Sequence, residues 1–106
     1  MKKNLITAGN TWQLYLNKPI VKLLGINQDE YTVLLKIENK ILSVQKIDAF
    51  EEKNYTKNFL VKKLIKRTSG FGLNLARPLL ELMEINPESD FLNLEVCDKV
   101  LLIKKF

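Results

Sequence analysis

A chain of 106 residues holds one domain, or two halves each too small for a core of its own. With 46% apolar and 27% charged residues the composition is that of an ordinary globular protein. One cysteine and no histidine exclude a disulfide framework and the usual zinc ligand sets. The net charge of +5 is spread evenly, with 9 basic and 6 acidic residues in 1–59 and 8 and 6 in 60–106. That balance suits a polyanionic partner without demanding one.

Basic Met1-Lys2-Lys3 is followed too soon by Gly9, Asn10, Thr11 and Gln13 to make a signal-peptide core, and no apolar run approaches the ~20 residues that span a bilayer. The expectation is a cytoplasmic protein with no membrane partner.

Leu5 and Ile6 open a short strand that ends at the Gly9-Asn10 turn. Leu14 and Leu16 alternate with Gln13 and Tyr15, the period of a strand with one buried face. Asn17 can cap a short helix with Pro19 in its first turn, and Gly25 suits the left-handed residue that ends it. Val33, Leu35 and Ile37 alternate with polar and apolar neighbours, Glu38-Asn39-Lys40 reads as a hairpin turn, and Leu42 and Val44 form the return strand. The unit is β-β-α-β-β.

The same stretch then recurs. Leu5–Ile26 returns as Leu64–Ile85 at a constant offset of 59, keeping Leu14/Leu73, Leu16/Leu75, Pro19/Pro78 and Leu23/Leu82. Residues 2–47 and 61–106 are two copies of one unit, joined by a polar connector over 48–60. Glu84 stands where the first copy has Gly25, so the second helix should end less sharply. Neither copy has the apolar surface for a core, and open strands would be left exposed. Burying the two apolar faces together predicts a mainly β, pseudo-two-fold barrel with short helices, formed by a single domain over 1–106.

Lys62, Lys63, Lys66, Arg67 and Arg77 make the densest basic set, able to reach phosphates and, through arginine, guanine in the major groove. The alternative is a strand edge kept charged against aggregation. Lys2, Lys3 and Lys18 are the counterparts in or beside the first copy. Trp12 and Phe71 occupy equivalent places, where an aromatic can press on a base or cover the end of the barrel; the covering role is favoured. Gly70-Phe71-Gly72 lacks the spacing of a phosphate loop and reads as a hinge. Glu51-Glu52, Glu88 with Asp90, and Cys97 offer no catalytic constellation, so no enzyme and no cofactor are expected.

Gly9-Asn10-Thr11, Leu14-Tyr15-Leu16, the Pro19 helix and Leu24-Gly25-Ile26, recurring in order over nearly the whole chain, resemble the AbrB/MazE/SpoVT group of swapped-hairpin DNA-binding domains. Members usually carry one unit and close the cradle-loop barrel as homodimers; here one chain supplies both halves. The resemblance implies a transcriptional regulator that grips double-stranded DNA with the first strand and its turn. It points to Lys62, Lys63, Lys66, Arg67, Ser69 and Arg77, with Lys3, Asn10, Thr11 and Lys18 from the first copy.

The chain departs from the family at several of these places. Thr7-Ala8 replaces the basic pair Lys66-Arg67, Thr68-Ser69 replaces Gly-Asn, and the family's arginine is Tyr15 or Asn74. A lopsided DNA site, or a surface turned to a protein partner, would follow. An antitoxin-like protein that keeps the scaffold is a further alternative, less expected because such members thread a toxin with a tail beyond the barrel. Further self-association of the barrel is left open.

Overall fold

The computed structural model describes residues 2–8, 11–47 and 60–106. The Gly9-Asn10 turn and all but the last residue of the expected connector lie outside these. Among the described residues ten strands and two short helices run in the order β1 (Lys2–Lys3), β2 (Ile6–Ala8), β3 (Thr11–Asn17), α1 (Lys18–Leu23), β4 (Thr32–Glu38), β5 (Ile41–Lys46), β6 (Leu60–Lys63), β7 (Ile65–Arg67), β8 (Gly70–Leu75), α2 (Arg77–Leu82), β9 (Leu92–Cys97) and β10 (Val100–Lys105). The protein is mainly β, as the alternation predicts.

The strands form two antiparallel sheets. The larger has the order β1-β9-β10-β5-β4-β6, and the smaller has β2-β3-β8-β7. Each copy contains one more strand than the sequence pattern suggested, because its first extended segment serves both sheets. β1 pairs in the larger sheet and β2 in the smaller, with only Asn4 and Leu5 between them. β6 and β7 repeat this around Leu64. Leu5 and Leu64 are buried where the chain crosses over.

The offset of 59 carries each ladder onto another or onto itself. Lys2↔Asn93 and Lys3↔Leu92 become Val61↔Leu34 and Lys62↔Val33, and Thr7↔Trp12 becomes Lys66↔Phe71. Two pairs map onto themselves: Leu14↔Leu73 in the smaller sheet and Ser43↔Leu102 in the larger. The copies also exchange strands, since β1 of the first pairs with β9 of the second and β6 of the second with β4 of the first.

The core lies between the sheets. Leu14, Leu16, Leu73 and Leu75 from one sheet meet Leu42, Val44, Leu92, Leu101 and Ile103 from the other, all fully buried. Each leucine so buried contributes roughly 1.5–3 kcal/mol of transfer free energy. Residues of both copies belong to this one cluster, so neither half retains a complete core alone. Ile20 and Leu80 bring the helices onto it.

Local signals explain the ends of the elements. Asn17 Oδ1 accepts the Ile20 amide at 3.2 Å and caps α1, whereas Ala76 gives α2 no side-chain cap. Pro occupies the first turn of both helices, where the missing N–H has no partner to lose. Gly25 ends α1 at φ +75°. Glu84 does not relax the end of α2; it takes φ +57° itself. The same closing bonds form in both places, Ile26 N to Val21 O at 3.1 Å and Ile85 N to Leu80 O at 2.9 Å. Packing of Met83 and Ile85 into the core imposes the turn on a residue that disfavours it. The β4–β5 and β9–β10 hairpins turn on two positive-φ residues each, Asn39-Lys40 and Asp98-Lys99, whereas the Thr68-Ser69 turn between β7 and β8 closes without one.

Candidate nucleic-acid interface

Opposed residues of an antiparallel ladder share a face, so register sorts the basic set. Arg67 lies opposite Gly70 on the outer face of the smaller sheet, together with Gln13, Tyr15, Gly72 and Asn74. Lys66 lies opposite Phe71 on the other face. The adjacent pair Lys66-Arg67 therefore straddles edge strand β7, both side chains exposed.

Arg67 is held in place. Its Nε donates to Gln13 Oε1 at 2.9 Å and its Nη2 donates to the same oxygen. Gln13 Nε2 in turn donates to Asn74 Oδ1 at 2.8 Å. Gln13 is only 1% exposed although its position points it away from the core. The room comes from Gly72: a Cβ there would collide with the Gln13 amide. A Cβ on Gly70 would strike the Leu16 carbonyl oxygen and the Tyr15 hydroxyl. The glycines are thus close-packing residues inside β8, and the hinge reading of Gly70-Phe71-Gly72 is corrected. Alternate glycines on one strand face are the signal that would have found this pocket.

Lys62 faces inward opposite Val33 and donates through Nζ to the Asn74 carbonyl at 3.2 Å, tying the larger sheet to the smaller. Lys66 Nζ stands 4.9 Å from the centre of the Tyr31 ring, and Tyr31 stacks on buried Phe71 at 5.7 Å. Phe71 and half-buried Trp12 both pack on the core, in keeping with the covering role. Ser69 Oγ and Tyr15 Oη lie 2.9 Å apart at the turn between β7 and β8. Lys63 is exposed on β6, and Lys18 and Arg77 are exposed at the starts of α1 and α2. Lys3 and Thr11 are half-buried in β1 and β3; Asn10 lies outside the described residues.

The structure therefore gathers Lys62 and Arg67 with Gln13 and Asn74, places Lys66 around the edge, and sets Lys18 and Arg77 apart on separate helices. At the offset of 59 the equivalents of Gln13 and Asn74 are Gly72 and Tyr15, so the pocket is not repeated among the described residues. Gln13 escaped the sequence reading because alternation alone marks it as an ordinary outward residue.

Two acidic groups take structural roles. Asp90 Oδ2 accepts the Asn86 amide at 2.8 Å and faces Lys105 at 3.6 Å. Glu84 pairs with Lys40 at 2.9 Å, and the hydrogen bond and charge of Lys40 hold its carboxyl below the usual range. Among the described residues no cluster of three or more His, Cys, Asp or Glu could hold a metal, and no helix is long and apolar enough to cross a membrane. Comparison with protein-family models, with curated proteins and with solved structures found no match to this chain.

Proposed function

We propose that this protein binds double-stranded DNA as a regulator of the AbrB-like type, with a single chain standing in for the family's homodimer in a swapped-hairpin barrel. The strand exchange between copies and the ladders repeated at a 59-residue offset support the barrel reading. The observation that carries the function is the fixed Arg67. Its guanidinium is oriented by buried Gln13 while the side chain remains on exposed edge strand β7, next to Lys66. An arginine immobilised before contact loses less side-chain entropy on binding, and its remaining N–H groups are free to meet phosphate oxygens or a guanine edge. The first copy has Thr7 and Ala8 in these places, so the footprint is lopsided and the operator need not be a palindrome.

Binding measured against salt tests this. Affinity for duplex DNA should fall linearly on a log–log plot, and replacing Lys66 and Arg67 by alanine should flatten the slope by about 1.8 for two lost phosphate contacts. A wild-type protein that ignores duplex DNA at low salt ends the reading. One feature favours the second reading, a protein-interaction module. An open groove of about 710 Å³ beside α1 is lined by Pro19, Leu23 and Val96 with Lys22, Asp98 and Lys99 around it. A protein partner that survives nuclease treatment would point there.

A further inference from the structure

The larger sheet has an outer face whose two pseudo-equivalent corners differ. At the corner where β1 meets β9 and β10, Lys2 lies opposite Asn93 and Asn93 opposite Lys104, so all three share the outer face. Phe91 and Phe106 continue the alternation onto that face and are joined by the backbone bond from Phe106 N to Phe91 O at 2.9 Å. Both rings are open to solvent, Phe91 43% and Phe106 65% exposed. Lys2 Nζ stands 4.2 Å from the centre of one ring and 4.9 Å from the other. Lys104 is exposed and makes no ion pair among the described residues.

The opposite corner shows what the fold itself requires. There Val61, Thr32, Gln45 and Ile47 replace Lys2, Phe91, Lys104 and Phe106, and Ile47 is buried. The same backbone closes with the same bond, Ile47 N to Thr32 O at 3.0 Å. Two solvent-exposed phenylalanines, with two lysines that make no ion pair among the described residues, are therefore no requirement of the architecture. Rings on a flat sheet face, flanked by lysines, match the chemistry of bases stacking while ammonium groups meet the phosphates. A lipid surface fits less well, since burying these rings in hydrocarbon would drag the Lys2 ammonium with them.

We propose that this corner is a binding site for single-stranded nucleic acid, with Phe91 and Phe106 as stacking platforms and Lys2 and Lys104 as phosphate contacts. It goes beyond the duplex reading and uses residues separate from Lys66 and Arg67. The experiment is fluorescence anisotropy of a labelled oligo(dT) at low salt. The intact chain is compared with Phe91→Ala, Phe106→Ala, Phe91→Tyr and the Lys66→Ala/Arg67→Ala double variant. Each alanine should weaken binding roughly 5- to 150-fold, the range for one lost base stack. Tyrosine should restore it, and in the double variant the loss caused by Phe91→Ala should persist. Absence of saturable binding overturns the proposal, as does binding indifferent to both phenylalanines or lost with Lys66 and Arg67. Uptake by anionic phosphatidylserine vesicles without oligo(dT) binding overturns it too. Because duplex DNA is titrated separately, either reading can fail while the other stands.

Discussion

The two copies share every strand and both helices, yet they solve three local problems differently. On one side of the Leu14↔Leu73 pair, Gln13 is buried and holds Arg67 and Asn74; on the other, Gly72 faces Tyr15, whose hydroxyl reaches Ser69 near the surface. One helix starts with a capping asparagine, the other with alanine. One helix ends on glycine, the other on a glutamate held in the same left-handed conformation. Backbone path is thus set by apolar positions that both copies keep, while polar detail has been free to diverge.

Exchanging residues between equivalent positions breaks or sharpens this comparison. The largest effect belongs to Gly70→Thr, which installs the residue of position 11. A Cβ there meets the Leu16 carbonyl, so β8 must shift away from β3, at a cost of about 3 kcal/mol in urea unfolding. Thr11 itself causes no such clash, so an unaffected Gly70→Thr protein would mean that the two ladders are interchangeable after all. Gln13→Ala comes next. It leaves Arg67 and Asn74 without their shared partner and should cost about 2 kcal/mol, and the duplex binding proposed above should weaken with it as Arg67 is released. Tyr15→Ala, on the opposite side of the axis, should cost less, because its bond to Ser69 is exposed.

Gly25→Ala places a side chain at φ +75° and should cost about 1 kcal/mol. The reciprocal Glu84→Gly should raise the melting temperature at neutral pH by relieving that conformation. Glu84 also carries a small pH dependence. Lys40 lowers its folded pKa, so the stability it adds is present above the unfolded carboxylate value and is lost as pH falls through the lower folded one. Glu84→Gly should remove this acid-side loss, which denaturation at pH 3 to 7 would show. The smallest effect is at the helix starts: Asn17→Ala should cost about 0.5–1 kcal/mol, and Ala76→Asn should return a similar amount to α2.

Much of this architecture was legible in the chain itself. The recurrence of Leu14-x-Leu16, the early proline and the hairpin turn at a fixed offset marked both helices, most of the strands and the need for two copies to share a core, but not the division of each copy's first strand between two sheets. A short apolar period reports which face is buried, and two copies of it report that both must be covered. Tertiary structure alone decided the rest. Only the lateral register of β3 against β8 makes Gly72 a vacancy for Gln13, and turns an outward polar residue into a buried anchor for Arg67. Only packing of Met83 and Ile85 forces Glu84 into a conformation its own preferences oppose. Contacts between residues some sixty positions apart depend on how strands align sideways, and the alternate glycines of β8 mark that room was left without saying which side chain fills it.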